Sequence, residues 1–230
     1  MTKESMQYDH VIRRSHDIQY LAGLDESGNG CIAGPLIAAC VILPDNVDLP
    51  NIKDSKKVGT FDELRTLAGE VYKSALAVSV GISTPKVVDE LGPLQADRAA
   101  MILAVDKIEI PPDMLIIDGG REHLLNANIP QINKSKGDSA SLSVASASII
   151  ATYMQHQIMY NFAQNYKGYE FDRNYGYYTP QAKKQLERFG PSPIHRYSYK
   201  PIKKLIRSRE IEEFAREVNN HRLKSVACKI

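Results

Sequence analysis

The amino-acid sequence predicts an α/β fold in which the strands of a central sheet alternate with helices. The first observation is a set of short apolar runs bounded by turn residues, at positions 20–26, 36–43, 74–83, 114–117 and 130–133. The second is the helical spacing of apolar residues between and after these runs, clearest over 141–162. The third is a composition that is 43% hydrophobic and 24% charged, which is ordinary for a globular protein.

The remaining elements are predicted around these strands. Residues 1–19 are polar without a clear period and are expected to form an N-terminal arm, with a short helix as an option. Helical spacing predicts helices over 62–73 and 94–108, on either side of the third strand. A proline at position 180 suits the first position of a later helix. A last helix over about 202–224 is rich in both charge signs.

Several protein classes are disfavoured by the sequence. No apolar run approaches the roughly 18 residues of a membrane span, and the polar N-terminus does not resemble a signal peptide. Cys31, Cys40 and Cys228 are odd in number and lack metal-like spacing, which favours reduced thiols in a cytoplasmic protein. The formal net charge of +2 neither indicates nor excludes nucleic acid, and the cation-rich run at 196–209 suits either phosphate contact or a solvated face.

Two adjacent carboxylates lie at the end of the first predicted strand. Asp25 and Glu26 directly precede a glycine-rich loop that contains Gly28, Asn29 and Gly30. Neighbouring side chains of a strand point to opposite faces, so the two carboxylates are expected to share one site only if the strand ends or bulges there. One interpretation is a site for a hard divalent cation, which prefers oxygen ligands. The other is a polar strand end followed by a hairpin turn.

A dinucleotide-binding loop is disfavoured at this position. A Rossmann fingerprint needs a third glycine at a set spacing and a helix directly behind it. Here the third glycine comes one residue late, and the following segment is apolar and β-branched like a strand.

Further polar candidates follow later in the chain. Asp118 comes directly after the continuous apolar run at 114–117, which is typical of a strand buried on both faces. Within the long predicted helix, Ser148, Thr152 and His156 are spaced four residues apart and therefore share one face.

Taken together, the motifs resemble those of ribonuclease HII, the type 2 ribonuclease H family. They are DESGNG followed by AGP, DSKK at 54–57, IIDG at 116–119, KGDSASLSVASASIIA at 136–151, GYYT at 176–179 and GPSPIHR at 190–196. Each motif alone is common in proteins. Their shared order over roughly 180 residues makes the resemblance specific.

The resemblance implies a fold and an activity. The fold is ribonuclease H-like, a five-stranded mixed sheet flanked by helices with a C-terminal helical extension. The chain would divide into an arm at 1–19, a catalytic core at 20–165 and a substrate-contacting loop with helices at 166–230. The implied activity is metal-dependent endonucleolytic hydrolysis of the RNA strand in RNA/DNA duplexes, giving 5′-phosphomonoesters, with duplex DNA containing single ribonucleotides as a further substrate. The implied cofactor is Mn²⁺ or Mg²⁺, and the implied state is a monomer away from membranes.

The resemblance also implies catalytic metal ligands. Asp25, Glu26 and Asp118 match acidic ligands of the family by position. The position of a further family aspartate holds His156, and its neighbouring arginine is replaced by Gln155. His156 can be a nitrogen ligand favouring Mn²⁺ over Mg²⁺, a base near the attacking water, or a helix-face residue in a site that has lost a ligand.

Substrate contacts are implied for the glycine loop, for Lys56 and for Tyr177. The backbone N–H groups of Gly28, Asn29 and Gly30 would contact the substrate, Lys56 a phosphate, and Tyr177 a sugar or base. The alternative for Tyr177 is packing of a loop aromatic on the core. Asn29 stands where the family loop carries arginine. This position therefore lacks the guanidinium group with which an arginine forms paired hydrogen bonds.

Three functional hypotheses follow. The first is the metal-dependent endoribonuclease, and the second is a diverged relative that binds nucleic acid but cleaves weakly or not at all. The third is a nucleotide-binding α/β enzyme of another type. The second is favoured by the clustering of departures at Asn29, Gln155 and His156, together with Thr152, which stands where the family's helix carries a lysine. For His195, in a proline-rich turn, a structural role is expected.

Overall fold

The computed structural model describes residues 3–52, 58–120, 125, 128–210 and 213. Its centre is a sheet of five strands, β1 (Leu21–Ser27), β2 (Leu36–Ile42), β3 (Ala77–Ser83), β4 (Met114–Asp118) and β5 (Gln131–Lys134). The strand order is β3-β2-β1-β4-β5. The β1–β2 and β2–β3 pairs are antiparallel, whereas the β1–β4 and β4–β5 pairs are parallel. The predicted five-stranded mixed sheet is confirmed.

Helices flank this sheet. They are α1 (Lys3–His16), α2 (Phe61–Ser74), α3 (Pro85–Leu91), α4 (Pro93–Lys107), α5 (Gly137–Ala140), α6 (Leu142–Asn165), α7 (Phe171–Asn174) and α8 (Pro180–Phe189). Residues 200–210 and 213 are also helical, and those from 202 onwards are the described part of the helix predicted over about 202–224. The short helices α3, α5 and α7 were not predicted, because four to seven residues are too few to show a period.

The strands separate two apolar cores. Along β2, alternate residues face opposite sides of the sheet, which explains why its whole sequence is apolar. Ile37, Ala39 and Val41 pack with α2 and α6 on one side. Ala38 and Cys40 pack with α4 on the other. The core is thus a sheet with a helical layer on each face.

Helix α6 lies close to β1, because its N-terminal half is built from small residues. Ser143 and Ser146 are fully buried in that half. Gly23 of β1 faces Ser143, and a Cβ atom on Gly23 would overlap the Ser143 backbone. The Ser141 side chain caps the helix by accepting a hydrogen bond from the Val144 N–H at 3.2 Å.

The polar N-terminal segment folds as the helix α1 and is attached to the core by a buried acid. Asp9 is only 4% exposed, and its Oδ2 accepts hydrogen bonds from both the backbone N–H and the hydroxyl of Ser143, each at 2.8 Å. Tyr8 and Ile12 pack against apolar residues of β1 and β4. Two buried positions of α1 hold the polar residues Asp9 and Arg13, which weakens the apolar period of its sequence.

Among the described residues, no helix has both the length and the apolar character needed to cross a membrane. The division into arm, core and C-terminal part, the cytoplasmic location and the monomeric state stay predictions.

Candidate active site

Two of the predicted acids meet because their strands run in parallel. In the β1–β4 pair, Leu24 is the partner of Ile117, so Asp25 and Asp118 follow at the same edge of the sheet. The backbone N–H of Gly137 donates a 2.6 Å hydrogen bond to Oδ1 of Asp118. This bond brings the segment after β5 over the ends of β1 and β4.

That segment supplies a third acid, Asp138, in the first turn of α5. Asp25, Asp118 and Asp138 can each offer a carboxylate oxygen, and these oxygens all lie within 4.8 Å of one another. Asp138 is only 4% exposed. Asp138 was not predicted to be a site residue, although it belongs to the Lys-Gly-Asp motif. The available signal was an acid that shortly precedes the long helix carrying the other site residues.

The environment of Asp25 opposes a negative charge. Burial raises the pKa of this carboxyl well above its usual range, and the charges of Glu26 and Asp118 raise it further. Hydrogen bonds from the Ser148 side chain and from the Glu26 N–H, the latter at 2.8 Å, act in the opposite direction. A cation among these carboxylates would offset both the repulsion and the burial cost.

Glu26 reaches the site from the other face of β1. The register of β1 against β2 continues from Ala22 to Ser27 without interruption. The strand therefore neither ends nor bulges at Asp25 and Glu26, although the sequence made this a condition for the two carboxylates to share one site, and both line the same pocket. Asp25 contacts Ser148 of α6, while Leu24 belongs to the core on the α4 side, so Glu26 lies on that opposite side.

The predicted residues other than Lys56 line one pocket. They are Asp25, Glu26, Gly28, Asn29, Gly30, Asp118, His156 and Tyr177. Ser148 and Thr152 of the predicted helix face line it as well. Lys56 and the rest of the 54–57 loop lie outside the described residues.

His156 forms part of the pocket wall through an aromatic stack. Its ring lies 3.6 Å from the Tyr175 ring, centroid to centroid, with an interplanar angle of 6°. Burial lowers the pKa of His156 to about 4, so the ring is neutral at pH 7. Among the described residues, the close acidic group comprises the three aspartates and does not include His156 or Glu26.

Stability is expected to fall as the pH is lowered from about 6.5 to about 4. The pKa values of His156 and His195 are each lowered from 6.5 to about 4 by burial, so in this range the unfolded chain binds more protons than the folded one. We expect His156→Gln to lose less stability than the wild type between pH 7 and pH 4.5, measured by urea unfolding. Equal losses of stability in the two proteins would show that burial does not lower the pKa of His156.

Tyr177 closes the pocket on the side of the glycine loop. Burial raises the pKa of its hydroxyl to about 12. The neighbouring Cys31 also raises this pKa, whereas a hydrogen bond with the Ser27 side chain lowers it. The side chain remains 41% exposed. Its hydroxyl is therefore held at the loop while part of the ring faces the opening, where a sugar or base can stack.

His195 has the structural environment expected for it. It is 3% exposed, and its Nδ1 accepts a 2.9 Å hydrogen bond from the Ser192 N–H. Its backbone forms an isolated bridge with Ala33. These contacts hold the 192–196 turn against the loop that follows β1.

Comparison with known proteins identifies the family. A family model described as Ribonuclease HII matches residues 22–202, which is most of the chain. The chain belongs to the ribonuclease HII family. A ribonuclease HII of Geotalea uraniireducens is 40% identical over 205 residues, which cover 89% of this chain and 93% of that protein. A ribonuclease HII of Ligilactobacillus salivarius is 37% identical over 208 residues, covering 88% of this chain and 80% of the relative.

The ribonuclease HII assignment agrees with the observed fold. The crystal structure of the ribonuclease H2 from Pyrococcus horikoshii OT3 superposes with a TM-score of 0.70 at 25% identity, covering 81% of this chain and 96% of that one. The ribonuclease H-like fold expected from the motifs is confirmed. The resemblance drawn from six short motifs therefore extends to the whole sheet and its flanking helices.

Proposed function

We propose that the protein is a metal-dependent endoribonuclease that hydrolyses the RNA strand of RNA/DNA duplexes and leaves 5′-phosphomonoesters. Its substrates would extend to duplex DNA that contains single ribonucleotides. The observation that supports this best is the convergence of Asp25, Asp118 and Asp138 at one sheet edge, within 4.8 Å of one another, in a chain of the ribonuclease HII family.

The donor set fits divalent cations of the hard type. The three aspartates offer anionic oxygens, which Mg²⁺ and Mn²⁺ accept in proteins, and Glu26 lines the same pocket. Bound cations would supply activation of a water molecule and stabilisation of the leaving oxygen, the chemistry of two-metal hydrolysis. Ser148 and the Gly137 N–H would orient Asp25 and Asp118 through the hydrogen bonds described above.

For His156 we propose a role in the pocket wall rather than as a ligand. Its neutral ring is stacked on Tyr175, and it lies outside the close group of acids. The wall would help to position the substrate beside the carboxylates. The ligand and base interpretations remain alternatives that the variants below separate.

Substrate recognition would come from the pocket rim. Gly28, Asn29 and Gly30 offer backbone N–H donors, and the partly exposed Tyr177 offers a ring face. A protein distinguishes RNA from DNA through the 2′-hydroxyl, which is both donor and acceptor. Asn29 can still hydrogen-bond to it, although without the fork of an arginine.

The experiment is cleavage of two labelled duplexes, one with an RNA tract and one with a single ribonucleotide, in Mg²⁺, in Mn²⁺ and in EDTA. We expect the wild type to cleave in metal and to stop in EDTA. Asp25→Asn is expected to lose cleavage and to lose the rise in melting temperature that Mn²⁺ gives the wild type, because one ligand charge is gone.

Asp106→Asn is the matched control, since Asp106 is an exposed acid on α4. It should cleave like the wild type. Binding of the duplex without cleavage in either metal would contradict the proposal and favour the diverged binding protein. Cleavage that persists in EDTA would contradict the metal dependence.

A further inference from the structure

The glycine loop after β1 contains a tight turn. The N–H of Cys31 donates a 3.1 Å hydrogen bond to the carbonyl oxygen of Gly28, which closes a turn with Asn29 and Gly30 at its centre. Gly28 adopts a φ of +88°, a conformation that side-chain-bearing residues rarely adopt. The two faces of this turn differ, because one faces the pocket and the other faces the protein interior.

On the interior face, two side chains hold a single carbonyl oxygen. The oxygen of Asn29 accepts a 2.7 Å hydrogen bond from the Tyr199 hydroxyl and a 3.1 Å hydrogen bond from Nη1 of Arg196. Nη1 of Arg196 also donates to the Tyr199 hydroxyl at 3.0 Å, so the three groups form a closed triangle. Both side chains come from the segment beyond α8, about 170 residues further along the chain.

This anchoring determines the direction of an N–H group on the other face. The peptide bond between Asn29 and Gly30 is trans, and in a planar trans peptide the C=O and N–H point in opposite directions. With the Asn29 oxygen held towards the interior, the Gly30 N–H is directed outwards. Gly30 is exposed and lines the pocket beside the carboxylates.

We propose that Arg196 and Tyr199 are positioning residues that aim the Gly30 N–H at an acceptor oxygen of the substrate, on its ribose or phosphate. The inference rests on the proposed function. In this glycine loop, Asn29 stands in place of an arginine. The direction of the Gly30 N–H is then set from the interior side, by the Arg196 guanidinium and the Tyr199 hydroxyl that hold the Asn29 carbonyl oxygen.

The burial of Arg196 supports this role. Its side chain is fully buried, and its Nε donates a 3.0 Å hydrogen bond to the carbonyl oxygen of Gly34, at the far end of the same loop. One guanidinium thus spans the loop from Asn29 to Gly34. Its Nη2 has no hydrogen-bond partner among the described residues. The fork geometry of arginine suits this two-point hold, and a lysine cannot reproduce it.

The backbone supports the loop independently of these side chains. The Gly34 N–H donates to the Ile194 oxygen at 2.8 Å, and the Arg196 N–H donates to the Ile32 oxygen at 2.8 Å. Loss of one side-chain bond is therefore expected to loosen the Asn29–Gly30 peptide while the rest of the loop stays in place. This separates a positioning effect from a folding effect.

The test is steady-state cleavage of the RNA-tract duplex by Tyr199→Phe and by Arg196→Lys. Tyr199→Phe removes one hydroxyl. We expect KM to rise about threefold to tenfold, because this is the range for the loss of one neutral hydrogen bond. The value of kcat should stay within about twofold of the wild type. The Mn²⁺-induced rise in melting temperature should equal that of the wild type. Arg196→Lys should raise KM at least about tenfold, because the charge-assisted hydrogen bonds to the carbonyl oxygens of Asn29 and Gly34 are lost together.

Tyr197→Phe is the matched control, because Tyr197 is a neighbouring tyrosine that is 43% exposed, and its KM should be unchanged. An unchanged KM in Tyr199→Phe would overturn the inference while leaving the nuclease in place. A fall in kcat and melting temperature at constant KM would also overturn it, in favour of a purely structural role. Failure of the wild type to cleave would instead overturn the proposed function, and the inference with it.

Discussion

Asp138→Asn is expected to lower the rate of duplex cleavage by at least about 100-fold. Loss of an outer-shell partner of a metal ligand already costs roughly 10-fold to 100-fold, so loss of a direct ligand should lie at or beyond the upper limit. Asp138 is buried and lies within 4.8 Å of Asp25 and Asp118, measured between carboxylate oxygens. Asparagine keeps the shape of the side chain and removes the charge that would hold the cation.

The same substitution should not weaken the metal-free fold. Removing one of three neighbouring negative charges relieves repulsion, so the melting temperature in EDTA should be at least that of the wild type. The rise in melting temperature on adding Mn²⁺ should be lost. A large fall in activity together with an undiminished metal-free melting temperature would be the signature of a ligand.

His156→Gln is the matched control for Asp138→Asn. If the stacked histidine belongs to the pocket wall, this variant should keep most of the activity and the full Mn²⁺ response. The opposite pattern, with cleavage lost in His156→Gln and retained in Asp138→Asn, would make the histidine the ligand and contradict our assignment.

The position of the site was predictable from the sequence to a large extent. Asp25 and Asp118 each follow an apolar run that is typical of a strand, and β1 and β4 proved to be parallel neighbours. The spacing of Ser148 and His156 correctly predicted a shared helix face, which lines the same pocket. Local periodicity was sufficient for these residues because each belongs to a regular element.

The place of Asp138 could not be obtained in this way. It depends on the turn before α5, where Lys136 adopts a left-handed φ of 58°, and on the hydrogen bond from Gly137 to Asp118. The first is a local backbone conformation and the second is a tertiary contact, and neither leaves a periodic signal in the sequence. The stacking partner of His156 was hidden for a similar reason, since Tyr175 also has a left-handed φ, 49°, in an irregular loop.

Gly23→Ala is expected to destabilise the protein by roughly 3 kcal/mol or more. A Cβ atom at this position would overlap the backbone of Ser143 and Val144 at the start of α6. Backbone atoms cannot move aside as a flexible side chain can, so β1 and α6 must separate, which is a severe case of overpacking. For a chain of this length, that change corresponds to a fall in melting temperature of roughly 6–12 °C. Urea unfolding and thermal melting measure it.

Gly69→Ala provides the matched control, because it makes the same chemical change inside α2, where no atom of the described residues lies within 4 Å of the added Cβ atom. It should stabilise the protein by about 0.8–1 kcal/mol through helix propensity. The contrast in sign tests whether the β1–α6 contact is as close as described, and a Gly23→Ala protein of wild-type stability would contradict it.

Because Asp25 lies on the same face of β1 as Gly23 and contacts Ser148 of α6, any Gly23→Ala protein that folds should also cleave slowly. The close approach that stabilises the sheet is thus the same one that places the first carboxylate.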